Sequence, residues 1–299
     1  MPIKLTSSVL KTNNTGFKAT FQRGLSAVTD TYWQRLAMLV PSDTREEEYG
    51  WLKDIPGIRE WIGERFVHAL AADGYKIKNK SYELTVAVDR DDMEDDRLGI
   101  YAPRFEMMGD EVARFPDVTV FGMLAAGFAT NCFDGQFFFD TDHPVLDAQG
   151  NVTNVSNFGG GAGTAWYLMA TRRPVKPLIY QRRKAFEFVP MDDPDNPLVF
   201  NKKQLTYGVD GRANAGFGFW QMAYASKQTL SDVNFKAART ALESLKGDFG
   251  KPLAIQPDLL VVPPSLRDAA EDLIVKQYLT GGGSNPLYKA VDLLVVPYL

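Results

Sequence analysis

Cysteine is almost missing from this sequence. Cys132 is the only one in 299 residues, so no intrachain disulfide can form and no multi-thiolate metal cluster can be built within one chain. Histidine occurs twice, at His68 and His143, too few for a histidine-rich metal site. No stretch approaches the roughly 20 consecutive apolar residues that a membrane-spanning helix requires. Met1-Pro2-Ile3-Lys4-Leu5 lacks the apolar run of a secretory signal. These absences predict a soluble product of a reducing cytoplasm. Charge of one sign is not in excess either. The 37 acidic and 33 basic residues leave a formal charge of -4, whereas a surface that tracked nucleic acid would carry a surplus of Lys and Arg. Contact with nucleic acid is therefore expected to be weak and non-specific.

The length, with 45% hydrophobic residues, suits one large or two intertwined domains. The first forty-odd residues show little sustained periodicity. Thr12-Asn13-Asn14-Thr15-Gly16 has turn chemistry, and Phe17, Phe21 and Leu25 predict a short helix inside an otherwise extended arm. Between residues 46 and 82, Tyr49-Gly50-Trp51-Leu52, Ile55-Pro56-Gly57-Ile58 and Trp61-Ile62-Gly63 set large apolar groups among helix and strand breakers. Two readings stand side by side: a loop packed on its own domain, or a protruding loop whose rings are buried by another subunit. Tyr75 and Ile77, a turn at Asn79-Lys80, and then Tyr82, Leu84, Val86 and Val88 alternating with polar neighbours predict a hairpin.

Asp91-Asp92 suit a helix start, where carboxylates meet the positive end of the macrodipole. Leu98, Tyr101, Phe105, Met108, Val112 and Phe115 then form one face of a long helix. Pro103 marks a restart, and Pro116 interrupts the pattern before Val120, Phe121, Leu124 and Phe128 resume it. Residues 131–225 read as strand and loop. Asp147–Gly150 and Gly159–Gly163 are expected to be flexible, exposed connections, 178–180, 186–189 and 198–200 short strands, and 192–197 a turn. From Thr229 the pattern is helical, with a Thr229 or Ser231 cap and a stop at Gly247. Asp-Leu-Leu-Val-Val-Pro occurs twice, at 258–263 and 292–297, with an amphipathic helix between the copies. This predicts two similar strands, each buried on both faces, in one α/β layer.

The densest chemistry lies in Asp134 and Phe139-Asp140-Thr141-Asp142-His143-Pro144. Carboxylates beside an imidazole suit a metal-dependent hydrolase. The blander reading, a polar turn bonded to local backbone, is favoured because no second cluster of ligands accompanies it. The acidic run 89–96 lacks the glycine and distal Glu of a calcium loop, and Gly159–Gly163 lacks the Lys of a phosphate loop. Arg172, Arg173, Lys176, Arg182, Arg183 and Lys184 form the one basic-rich stretch, open to nucleic acid, to an acidic neighbour or to a solvated strand edge.

Several of these words occur together and in order: Tyr49-Gly50-Trp51-Leu52, Pro56-Gly57-Ile58-Arg59-Glu60-Trp61-Ile62-Gly63, Tyr82-Glu83-Leu84-Thr85-Val86, Asp89 to Asp96, Phe133-Asp134-Gly135-Gln136, Phe139 to Pro144, Tyr207-Gly208-Val209-Asp210, Gly218-Phe219-Trp220-Gln221 and the twin Leu-Leu-Val-Val-Pro runs. The set resembles the Mu-like prophage major head subunit family over nearly the whole chain. The resemblance implies an α+β, HK97-type coat protein fold. Its parts would be an N-terminal arm (1–45), an extended loop (46–82), a peripheral domain with a long spine helix (83–130 and 165–225) and an axial α/β domain (131–164 and 226–299). It implies a shell-building protein and no enzyme, with no catalytic residue, metal or cofactor. Tyr49, Trp51, Ile55, Ile58, Trp61 and Ile62 would form the assembly interface. The partners would be copies of the chain in pentamers and hexamers, with scaffold, portal and other head proteins, in a virion capsid assembled in the bacterial cytoplasm. The rival expectation is a metal-dependent hydrolase using Asp140, Asp142 and His143.

Overall fold

A computed structural model describes residues 6–53, 74–95, 98–193, 202–279 and 281–299. Its N-terminal segment is more regular than its composition suggests. Ser7–Ala27 is a single helix, α1, capped by the Thr6 hydroxyl. The expected turn at Thr12–Gly16 lies inside it. Thr12, Thr15 and Thr20 turn their hydroxyls back onto the carbonyls four residues earlier, so these side chains stay within the helix. Leu10, Phe17 and Phe21 are buried. Phe17 stacks on Phe105 at 4.3 Å and meets Tyr207 edge-on at 5.1 Å. The segment is thus packed on its own chain as one continuous helix, not as an extended arm with a short helix inside it.

The apolar stripe beyond residue 98 forms α4, Ala102–Ala125, preceded by the short α3, Arg90–Glu94, whose cap is Asp89. Pro103 sits in the first turn of α4, where no N–H is required. Pro116 lies inside without ending the helix. The next residue, Asp117, is fully buried and accepts the backbone N–H groups of Tyr32 and Trp33, tying α4 to α2, Trp33–Leu36.

Helices α1 and α4 meet a four-stranded sheet in the order β1 (Ala37–Pro41), β9 (Leu178–Met191), β10 (Gln204–Phe217), β4 (Lys80–Asp89). The expected short strands 178–180 and 186–189 are one strand, β9, paired antiparallel with β10; residues 198–200 lie outside the described residues. In β10, alternate residues from Leu205 to Ala215 are buried, the period of a strand with one face on a core.

A second, five-stranded sheet runs β13 (Asp292–Val295), β12 (Leu259–Val262), β8 (Trp166–Met169), β11 (Ala223–Lys227), β7 (Phe158–Gly161). The twin Leu-Leu-Val-Val runs pair in parallel, as their likeness predicts. β12 is buried throughout, while β13 is the sheet's edge and half-exposed, so only the first copy is covered on both faces. Of Gly159–Gly163, expected as a flexible connection, the first three residues belong to the opposite edge strand. Trp166–Met169 is entirely buried at the centre of this sheet. It therefore belongs with the C-terminal layer rather than with the four-stranded sheet. The helix Asp232–Glu243, capped by Ser231, buries Phe235, Ala238 and Leu242. No described helix is long and apolar enough to cross a membrane.

Candidate functional site

The segment proposed for assembly has a well-defined base. β2 (Glu46–Tyr49) pairs antiparallel with β3 (Tyr75–Lys78), with Tyr49 opposite Tyr75. The chain thus leaves this ladder at Tyr49 and returns to it at Tyr75. β3 does not turn back on β4 as a hairpin. It runs on through Asn79 into β4, because each strand finds its partner elsewhere, β3 on β2 and β4 on β10. Asn79 is buried and makes the change of sheet possible. Its amide donates to the Ser42 hydroxyl and the Thr44 carbonyl, its N–H donates to the Arg45 carbonyl, and its Oδ1 accepts from Gln181. Glu47 adds a cradle beside it, accepting from the Ser42 and Thr44 hydroxyls and from the N–H groups of Asp43 and Thr44. The Thr44 N–H first, then the Ser42 and Thr44 hydroxyls, hold its carboxyl down at about 2. Gly216 in β10 leaves room for Ile77, whose Cδ1 lies 2.2 Å from where a Cβ would stand.

The six expected interface residues do not share one environment. Tyr49 is buried by its own chain, and its hydroxyl donates to Gln181 at 2.8 Å. In the subunit its ring thus belongs to the base of the segment. Burial pushes its phenol up, and that of Tyr75 to about 12, so both stay neutral, Tyr49 donating to Gln181 and Tyr75 accepting the Phe217 N–H. Trp51 is half-buried, edge-on to Tyr49 at 6.0 Å and to Phe219 at 5.9 Å. Ile55, Ile58, Trp61 and Ile62 lie outside the described residues.

The Asp140 and Asp142 carboxyls lie beside each other, but His143 does not complete a ligand set with them. Asp140 accepts the N–H groups of Phe137 and Thr141, the polar turn of the blander reading. His143 turns inward instead. Its ring is fully buried, stacked on Trp220 at 3.9 Å, with Nδ1 2.7 Å from Asp134 Oδ2 and Nε2 3.2 Å from Asn157 Oδ1. The other Asp134 oxygen accepts from the Cys132 thiol at 3.1 Å and the Gln136 N–H. Burial would raise the Asp134 carboxyl, but the bonds from His143 and Cys132 bring it below its usual value. Burial, and then the Asp134 charge, push the Cys132 thiol up, so it is no activated nucleophile. Asn157, also fully buried, closes the network by donating to the Phe138 and Ala223 carbonyls and accepting the Asp140 N–H. Sequence reasoning placed Asp134 and His143 in one neighbourhood but had no signal for Asn157, in the connection before β7, or Trp220, in a 3-10 turn before β11.

The basic stretch is largely engaged within the fold. Arg173 donates to the carbonyls of Leu253 and Ala254, Lys176 to those of Gln34 and Arg35, and Lys184 pairs with Asp210 at 2.6 Å. Arg172 remains mostly exposed beside Asp258.

Comparison with known proteins gives a consistent result. The profile of the Mu-like prophage major head subunit gpT matches residues 10–299. The Mu-like prophage FluMu major head subunit of Haemophilus influenzae is 42% identical over 280 residues, 91% of each chain. The major capsid protein of Escherichia phage Mu is 40% identical over 304 residues, 99% of each chain. Among solved structures, the procapsid of bacteriophage JBD30 superposes with a TM-score of 0.86 at 44% identity, covering 99% of this chain and 100% of that one. The JBD30 capsid gives 0.76 at 33%, covering 91% and 92%. These relatives are structural capsid proteins, the fold is the HK97-type coat fold, and nothing supports a hydrolase. The match runs from the first turn of α1 to the last residue, and the chain belongs to the Mu-like prophage major head subunit family.

Proposed function

We propose that this capsid subunit joins its neighbours in pentamers and hexamers chiefly through the segment between Tyr49 and Tyr75. The observation that carries the reading is the Tyr49–Tyr75 register, which fixes both ends of that segment on one ladder. A ladder anchored by Asn79 and Gln181 gives a projecting segment a rigid root. Ile55, Ile58, Trp61 and Ile62 supply the apolar contact, with the exposed rim of Trp51 at its edge. Head-to-tail contacts of this kind close into rings when the rotation closes, and rings tile a shell. Scaffold, portal and other head proteins are the further partners, with assembly in the bacterial cytoplasm. Contact with the packaged genome is weak, because Arg173, Lys176 and Lys184 are engaged by their own chain.

The test is Trp61→Ala and Ile58→Ala, scored by particle yield in negative stain and by thermal unfolding of the unassembled subunit. Truncating an interface anchor costs about 2 kcal/mol or more per contact, so particles should be lost while the subunit's transition stays in place. Trp51→Ala should affect both readouts, since part of that ring packs on Phe219. Undiminished particle yield, or a Trp61→Ala subunit as destabilised as one lacking the buried Trp166, would refute the reading.

A further inference from the structure

We propose that Cys132, Asp134 and His143 form a site for one divalent ion of the zinc class. Their donor atoms lie within 4.8 Å of one another. Bonds of about 2.0–2.3 Å in a tetrahedral site separate ligand atoms by about 3.3–3.8 Å, so the ion fits with small side-chain adjustments. The donor set is thiolate, carboxylate and imidazole, the chemistry a borderline d-block ion takes, and the three ligands leave a fourth position for water.

Hydrogen bookkeeping makes the case stronger. Asn157 directs its amide at the carbonyls of Phe138 and Ala223 and accepts the Asp140 N–H on Oδ1, so Oδ1 faces His143 Nε2 as an acceptor. Nε2 therefore carries a hydrogen. Without an ion, two further hydrogens lie between the three side chains, one on Cys132 Sγ and one shared between His143 Nδ1 and Asp134 Oδ2. One divalent ion replaces both. The two protons leave to solvent, Sγ becomes a thiolate, Nδ1 of the neutral ring binds the metal, and the net charge of the site is unchanged. A buried exchange that conserves charge avoids the desolvation penalty of burying a net charge. The surroundings match those of a metal ligand: the far nitrogen of the ring donates to Asn157, and the carboxylate accepts the Gln136 N–H. The ion would fasten the chain leaving α4 to the start of β5, His143–Leu146.

The proposal is independent of the shell reading. Full-length protein is expressed with added zinc, passed into metal-free buffer and assayed for metal content, then substituted with cobalt(II). The expected results are about one ion per chain and a thiolate-to-cobalt charge-transfer band. The band should be absent in Cys132→Ser and retained in Asp142→Asn. Apparent affinity should rise with pH, because binding releases protons. If Cys132→Ser does not fold, the wild-type metal content and band decide alone. Wild-type protein that forms particles with no metal above background and no cobalt band would overturn the site and leave the shell reading standing. The three side chains would then be a hydrogen-bonded lock only.

Discussion

The contact between α1 and α4 allows a prediction whose sign changes with position along the same two helices. Gly24 and Gly109 lie where the helices cross. A Cβ at Gly24 would stand 2.0 Å from the Glu106 carbonyl oxygen, and one at Gly109 2.2 Å from that of Phe21. Both obstacles are backbone, which cannot rotate away. The helices would have to separate by about 1 Å, loosening Phe17 and Phe21 against Phe105 and Phe188. Overpacking of this kind costs about 1–3 kcal/mol, set against about 1 kcal/mol gained from the better helix propensity of alanine. Gly24→Ala and Gly109→Ala should therefore destabilise the subunit, by up to about 2 kcal/mol each. Gly16 in α1 and Gly122 in α4 have nothing within 4 Å of the Cβ position. There the propensity term acts alone, and alanine should stabilise by about 0.5–1 kcal/mol. Urea unfolding of the unassembled subunit, followed by circular dichroism, measures all four. Four stabilising substitutions would mean that α1 does not lie on α4 in solution.

Glu47→Gln probes the cradle at the base of the segment proposed for assembly. The Glu47 carboxyl sits at about 2 against an ordinary 4.5, so its contribution is complete above pH 4.5 and is lost as pH falls through about 2. The stability gap between wild type and Glu47→Gln should be constant near neutrality and close across that window; a gap that widens in acid contradicts the assignment. Asn157→Leu should cost about 2–6 kcal/mol, because the Phe138 carbonyl and the Asp140 N–H each lose a buried partner at about 1–3 kcal/mol apiece. Asn154→Leu, at an exposed position, should change stability by less than about 0.5 kcal/mol. Equal effects at the two sites would remove Asn157 from its structural role.

Much of the fold was legible wherever a local pattern decided the outcome. Of the stripe from Leu98 to Phe115, the part from Phe105 onward became α4, and the twin Leu-Leu-Val-Val runs became paired strands. Asp91-Asp92 open a separate short helix, Arg90–Glu94, and not the long one. The misreadings share one physical cause, which is that distant residues settled the local structure. Thr12–Gly16 has turn chemistry, yet Phe17 and Phe21 gain burial against α4 only if that stretch is helical. Tyr75 to Val88 has a hairpin's alternation, yet β2 and β10 take the two strands separately. At the Asp134 to His143 segment, spacing brought the right residues into view and assigned them the wrong company. His143 meets Asn157 and Trp220 across the sheet junction, a pairing no local rule encodes.

The central claim is that copies of this chain build a closed shell, with residues 54–73 of each subunit seated on the next. Cryo-electron microscopy of particles formed by the full-length protein tests it most directly. The account predicts icosahedral density that fits this fold, with the 54–73 connection crossing from one subunit to its neighbour. Protein that stays monomeric in every assembly condition, or particles whose 54–73 density folds back onto its own subunit, would contradict it.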